Sequence, residues 1–181
     1  MLLVVDNGSV YTPLLLKCIQ DLNLDFESHL FSSISSLNLD NYSSIILSGR
    51  RKNNPEMNII NSKLVKHSVE EDKPLLGICY GAEILVLTLG GTIKKMVSSR
   101  HGLYEIDITK NNPLCSGKIK GFESHSYMVS KLNSSFIQIA TSNDCKFEIF
   151  QYDGKNIFGT QFHPEMSTDG ISLLEKFIFI K

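Results

Sequence analysis

Two short stretches of this 181-residue chain carry side chains whose types and spacing could do covalent chemistry. The first is Gly77-Ile78-Cys79-Tyr80-Gly81, a small-x-nucleophile-x-small pattern between an apolar run and a helical one. Such a strand-to-helix turn, a nucleophile elbow, is so tight that side chains two residues either side of the nucleophile would strike neighbouring backbone, which accounts for both glycines. It also puts the thiol at a helix N-terminus, where free N–H groups and the helix dipole favour the thiolate. A lone apolar-flanked cysteine is more often plain core; the glycine frame points instead to a nucleophile. The second stretch is Phe162-His163-Pro164-Glu165. His163 is the candidate base, Glu165 can hold its imidazole in one tautomer, and Pro164 stiffens the spacing between them. A thiol, an imidazole and a carboxylate in these roles carry out acyl transfer through a thioester. Of the remaining histidines, His29, His67 and His101 read as solvated strand, helix-surface and loop residues. His125, in Ser124-His125-Ser126, is placed in a loop, where it could face a substrate or cap a turn.

Both stretches need a scaffold that brings them to one edge. In the first half, short apolar runs alternate with helical patterns. Strands are expected at Leu2–Val5, Phe26–Phe31, Ser43–Leu47 and Leu75–Ile78, and helices at about Val10–Leu22, Pro55–Glu71 and Ala82–Leu89. Pro55 suits the first turn of its helix, and Gly90-Gly91 suits the end of the third. Strands separated by helices imply a parallel, three-layer arrangement, with the active site beyond the carboxyl ends of the strands. The second half reads differently: Leu103–Ile108, Ile119–Phe122, Phe136–Thr141, Lys146–Tyr152 and Ile157–Thr160 look like strands joined by short turns. They predict an antiparallel extension, followed by a final helix at about Thr168–Phe179. The polar run Ser48–Asn54 is expected to be a loop.

Composition narrows the function classes. Residues 1–181 fit a single domain with one core. Hydrophobic residues at 42%, charged residues at 20% and a net charge of −1 give no sign of a nucleic-acid or membrane partner. The start MLLVVDNG lacks the apolar length of a signal peptide, so a reducing, cytoplasmic setting is expected. The widely spaced Cys18, Cys79, Cys115 and Cys145 then form neither disulfides nor a metal site.

Gly-Ile-Cys-Tyr-Gly around Cys79, taken with Gln161-Phe-His-Pro-Glu165, resembles the class I glutamine amidotransferases. Asp6-Asn-Gly-Ser-Val-Tyr-Thr12, Ile45-Ile-Leu-Ser-Gly49, Glu123-Ser-His-Ser-Tyr-Met-Val129 and His163-Pro-Glu-Met-Ser-Thr168 extend the likeness over nearly the whole chain. It is nearest to the glutaminase part of GMP synthetase, which in archaea is commonly a separate polypeptide. The resemblance implies a flavodoxin-like α/β fold and a Cys79-His163-Glu165 triad that hydrolyses glutamine to glutamate and ammonia. It further implies an oxyanion hole built from the backbone of Tyr80 and of the Gly49-Arg50 segment, and substrate contacts from Glu83, Ser124, His125 and Ser126. No cofactor or metal is implied, and the ammonia would pass to an ATP-pyrophosphatase-type synthetase subunit.

Three positions depart from the family's pattern. Ser48-Gly49-Arg50-Arg51 stands where the family usually has Ser-Gly-Gly-Pro, so Arg50 occupies a glycine position; Arg50, Arg51 and Lys52 could be a docking patch or a solvated basic loop. Glu83 stands in place of a glutamine that helps hold the substrate, and could accept from the substrate's ammonium or pair with Arg50. Tyr127 replaces a usual acidic residue. Two other functions therefore remain open on the sequence: a stand-alone γ-glutamyl hydrolase, and a catalytically weak regulatory or scaffold subunit.

Overall fold

The computed structural model describes residues 1–180. Its centre is a nine-stranded sheet in the order β2-β1-β3-β4-β9-β8-β7-β5-β6. The strands are β1 (Leu2–Asn7), β2 (Phe26–Leu30), β3 (Ser44–Arg50), β4 (Leu75–Ile78), β5 (Thr92–Ile108), β6 (Lys118–Lys131), β7 (Phe136–Thr141), β8 (Ile149–Tyr152) and β9 (Ile157–Thr160). The helices are α1 (Thr12–Gln20), α2 (Pro55–Glu70), α3 (Tyr80–Thr88) and α4 (Thr168–Ile178). From β2 to β9 all neighbours run parallel, and from β9 to β6 all run antiparallel. The antiparallel extension is thus β8, β7, β5 and β6, and β9, expected to belong to it, is the junction strand, parallel to β4 and antiparallel to β8.

Alternation along the central strands builds two cores. Leu2 and Val4 join α1 and α4 (Leu15, Ile19, Leu173, Phe177) on one face. Leu3 and Val5 join α2 and α3 (Met57, Leu64, Val65, Leu85) on the other. Successive strand side chains point to opposite faces, so the central strands β1, β3 and β4 carry apolar runs covered on both sides, whereas the edge strand β2, Phe-Glu-Ser-His-Leu, is only partly buried. Local signals set the helix ends. Asn54 caps α2, accepting from the N–H groups of Glu56 (2.8 Å) and Met57 (3.3 Å), with Pro55 in the first turn. Ser167 caps α4 by accepting from Gly170 N–H at 3.1 Å.

Several expected boundaries move. Strands β5 and β6 run for 17 and 14 residues and form a long hairpin, where only Leu103–Ile108 and Ile119–Phe122 are expected. A register shift between Lys95 and Arg100 breaks the alternation that would have marked the longer strand. Ser124, His125 and Ser126 therefore lie within β6 and not in a loop. Ser48 to Arg50 also continue β3 and are not part of a loop, because Arg50 pairs with Asn7 and bridges Gly8. Helix α1 begins at Thr12, two residues after the expected start at Val10, and its Leu14 is 38% exposed.

The carboxyl ends of β1 and β3 are bolted together and to α2 by buried amides. Asn7 donates from its backbone to Ser48 Oγ (2.9 Å) and from Nδ2 to the Ser48 carbonyl (3.1 Å). The Asn7 and Asn61 side chains bond each other in both directions, at 3.2 and 2.8 Å, and Asn61 also donates to the Met57 carbonyl at 2.8 Å. Replacing Asn61 by leucine strips the donor from Asn7 Oδ1. Orphaning a buried polar group costs about 1–3 kcal/mol, so Asn61→Leu should lower the urea midpoint by a corresponding amount at an unchanged slope.

Candidate active site

Cys79 sits between β4 and α3 with φ 51° and ψ −102°, a positive-φ conformation rare for a residue with a side chain. Such strain costs on the order of 1–3 kcal/mol and must be enforced by the surroundings. The surroundings do so. A Cβ on Gly77 would lie 2.4 Å from the Gly81 carbonyl oxygen, and a Cβ on Gly81 would lie 2.3 Å from that of Leu47, so neither position admits a side chain. Cys79 N–H donates to the Thr160 carbonyl at 2.7 Å, tying the turn to β9, and the Cys79 carbonyl accepts from Glu83 N–H at 3.0 Å, opening the helix.

His163 follows β9 after a two-residue gap, and its backbone is held by a 2.8 Å bond from its N–H to the Phe122 carbonyl of β6. Its Nδ1 lies 2.8 Å from Glu165 Oε1; the carboxylate can only accept, so the proton is on Nδ1 and Nε2 is left to act as a base. Both side chains are buried, at 3% and 2% exposure. The imidazole lies against Gly49, where a Cβ would be 2.8 Å from Cε1 and 3.5 Å from Nε2. Glycine at 49 is thus required by the ring and not by its own backbone angle. Tyr11 also packs against the ring, centroids 4.6 Å apart, and donates its hydroxyl proton to Ser124 Oγ at 3.1 Å.

Cys79 and His163 line one cavity of about 610 Å³, together with Arg50, Tyr80, Glu83, Ser124, His125, Ser126, Tyr127 and residues of the Ser9–Tyr11 segment. Of the catalytic, oxyanion and substrate residues expected from the sequence, only Gly49 and Glu165 lie outside its lining, and both touch His163. His125 takes part in an unexpected way. Its Nδ1 donates to the Tyr127 carbonyl at 2.7 Å and its Nε2 meets the Glu123 carboxylate, so both ring nitrogens are committed within β6. Glu123 in turn belongs to a buried group with Glu148 and Arg100, in which Arg100 Nη1 lies 3.5 Å from Glu123 and 3.1 Å from Glu148. Burial, with Glu123 beside it, pushes the Glu148 carboxyl well above the usual range, whereas the bond to His125 holds Glu123 below it. The sequence marks neither Glu148 nor Arg100, since 48 residues separate them.

Electrostatics overturn one expectation. Burial pushes the Cys79 thiol well above its ordinary value, and the nearby Glu83 carboxylate raises it further, against a lowering hydrogen bond from Tyr80 N–H. The helix N-terminus is outweighed by burial and by Glu83, and the balance disfavours the thiolate. Glu83, 5% exposed, is itself raised by burial; Arg50, His125 and Gln161 act in the opposite direction. Glu83→Gln removes the largest charge opposing the thiolate. The pH profile of Cys79 alkylation by iodoacetamide should therefore move to lower pH in Glu83→Gln; a profile that stays in place or moves upward contradicts this electrostatic assignment.

Among the described residues no helix is long and apolar enough to cross a membrane, and all four cysteines are free and buried. The sequence matches the family model for glutamine amidotransferase class-I over residues 3–180. The GMP synthase [glutamine-hydrolyzing] of Brachyspira hyodysenteriae is 32% identical over 98% of the chain, and that of Escherichia coli is 27% identical over the same share. The chain spans only 35% and 36% of the length of these relatives. A crystal structure from Thermoplasma acidophilum, provisionally assigned as that of a GMP synthase subunit, superposes with a TM-score of 0.87 at 26% identity, covering 98% of this chain and 91% of that one. A glutamine amidotransferase from Thermotoga maritima shares the fold, with a TM-score of 0.77 at 19% identity over 98% of this chain and 80% of that one. With both motifs in place on this fold and the match running almost end to end, the chain belongs to the class-I glutamine amidotransferase family.

Proposed function

We propose that the protein is a glutaminase that hydrolyses the side-chain amide of glutamine and hands the ammonia to an ATP-pyrophosphatase-type synthetase, one making GMP. The observation that carries this reading is the shared cavity: a strained elbow cysteine and a histidine oriented by a buried glutamate open onto the same space. Glutamine-hydrolysing GMP synthases among the relatives support the choice of acceptor.

In this mechanism His163 Nε2 takes the Cys79 proton as the sulfur attacks the carboxamide carbon. The resulting C–S bond gives a tetrahedral oxyanion, stabilised by Tyr80 N–H and by a donor from the Gly49-Arg50 segment. Collapse breaks the C–N bond, and the proton held on His163 leaves with ammonia. Water, deprotonated by the same imidazole, then cleaves the thioester to glutamate and returns the proton to sulfur. Glu165 keeps Nδ1 protonated and balances the imidazolium formed at each step. Ser124 and Ser126 lie on the cavity wall within reach of a bound amino acid.

A glutamine-derived electrophile such as 6-diazo-5-oxo-norleucine should label Cys79 stoichiometrically in the chain alone or with its synthetase, and Cys79→Ala should take up none. Ammonia release should fall by about 10³-fold or more in Cys79→Ala and His163→Ala. Faster turnover of γ-glutamyl peptides than of glutamine would indicate a stand-alone hydrolase. An absence of labelling even with the synthetase present would leave a scaffold role.

A further inference from the structure

Amide hydrolysis by a thiol and an imidazole makes no use of a phenol, yet Tyr11 lines the Cys79 cavity and touches two of the groups in its wall. The turn from β1 to α1 is built to put it there. Asp6 Oδ1 accepts from Gly8 N–H at 2.8 Å and from the Thr12 hydroxyl at 3.0 Å, closing the turn across its base. Gly8 takes a φ of 81°, a conformation open to glycine and rare for other residues. Ser9 Oγ accepts from Tyr11 N–H at 3.1 Å, and the Tyr11 carbonyl accepts from Leu14 and Leu15 N–H at 3.1 Å each, at the start of α1. With its backbone bound on both sides, Tyr11 keeps only the torsions of its own side chain.

Those torsions are taken up by two contacts of different chemistry. The ring packs against both Phe122 and His163, with centroids 5.7 and 4.6 Å away, the separations of attractive aromatic pairs. His163 is bonded at Nδ1 to Glu165 and has Gly49 against its Cε1 edge. A single hydrogen bond fixes one point of an imidazole but not its tilt about that point; the Tyr11 ring supplies a further contact that resists the tilt. The hydroxyl, in turn, donates to Ser124 Oγ at 3.1 Å, joining segments 113 residues apart. A serine hydroxyl has one proton to give and lone pairs that accept. Since Ser124 accepts from Tyr11, and its own proton meets no acceptor among the described residues, that proton is free to turn toward the cavity that Ser124 lines.

From these contacts we infer that Tyr11 is a positioning residue with two separable duties: its ring holds the His163 imidazole in the orientation that transfers protons, and its hydroxyl sets Ser124 as a hydrogen-bond donor to a part of the bound substrate that does not react. The inference rests on the glutaminase reading and adds to it a side chain that takes no part in proton or acyl transfer. The two duties leave different kinetic marks. His163 moves a proton in both halves of the reaction, so a loss of its orientation lowers kcat whichever half is slower. A donor to an unreacting part of the substrate serves ground state and transition state alike, so its loss raises KM and leaves kcat in place.

The test is steady-state ammonia release from glutamine by the full chain carrying Tyr11→Phe, Tyr11→Leu, Ser124→Ala, or Tyr11→Phe with Ser124→Ala. Each preparation is scaled to its reactive Cys79, counted with 6-diazo-5-oxo-norleucine, so that a poorly folded fraction does not pass for lost catalysis. Tyr11→Phe keeps the ring and should raise KM by about 2–10-fold at unchanged kcat, the range for one neutral hydrogen bond. Tyr11→Leu removes the ring and should lower kcat by about 10–100-fold as well. In the Ser124→Ala background, Tyr11→Phe should have no further effect, because the hydroxyl acts only through Ser124. A Tyr11→Leu protein with full kcat, a Tyr11→Phe protein that loses kcat as Tyr11→Leu does or keeps its KM, or a Tyr11→Phe effect that survives in Ser124→Ala would each overturn the inference. Labelling of Cys79 in the unsubstituted protein decides the glutaminase reading separately, so a reactive Cys79 with any of these outcomes sinks the Tyr11 inference alone.

Discussion

The structure depends on one close approach: the backbone at Gly81 meets the carbonyl of Leu47 at a distance that leaves no room for a Cβ, and Gly77 meets Gly81 in the same way. These contacts press the end of β4 and the start of α3 against β3, and Cys79, caught between two glycines, takes the positive φ that brings its thiol to the cavity. Everything else in the site is measured from that turn. It fixes the α3 axis, hence Glu83 one turn along and Tyr80 under the Arg50 guanidinium. It also fixes the distance to β9, whose Thr160 carbonyl accepts the Cys79 N–H and whose continuation carries His163.

A second constraint is electrostatic. The cavity gathers a buried thiol, two buried histidines, a buried glutamate, Arg50 and the exposed Arg51. Charges in such a place are tolerated only when paired. Three pairs meet this demand: His163 with Glu165, His125 with Glu123, Glu83 with Arg50. The loosest of these pairs is the last, at 3.8 Å, and both of its members border the open space. Burial, with Glu83 beside it, pushes the Cys79 thiol well above its ordinary value and so disfavours the thiolate.

What the sequence discloses and what it hides follow from distance along the chain. The elbow is legible because its requirement is local: two glycines flanking one cysteine at a strand-to-helix change. His163 and Glu165 are legible because they are two residues apart and a proline stiffens the step. The central parallel strands are legible because burial on both faces gives them apolar runs. The Asn7–Asn61 amide pair is not, since 54 residues separate partners that carry no periodic signal. Nor is the buried Arg100–Glu123–Glu148 group, whose members read as ordinary surface charges until the β5–β6 hairpin turns them inward. The length of that hairpin is obscured by the register shift at Lys95–Arg100, and Arg50 reads as a loop residue because its strand pairing comes from Asn7, far away in sequence. The thiolate expectation fails on magnitude: the helix terminus contributes, but burial beside a carboxylate contributes more.

The central claim is that the Cys79 sulfur itself becomes bonded to the substrate's acyl carbon. Acid quenching of the protein during turnover of isotopically labelled glutamine, followed by mass spectrometry of the peptide containing Cys79, tests it directly. The account predicts a glutamyl adduct on that peptide, one that disappears on treatment with hydroxylamine. Labelled glutamate formed at full rate with Cys79 unmodified at every quench time, or an adduct carried by Cys18, Cys115 or Cys145 instead, would contradict it.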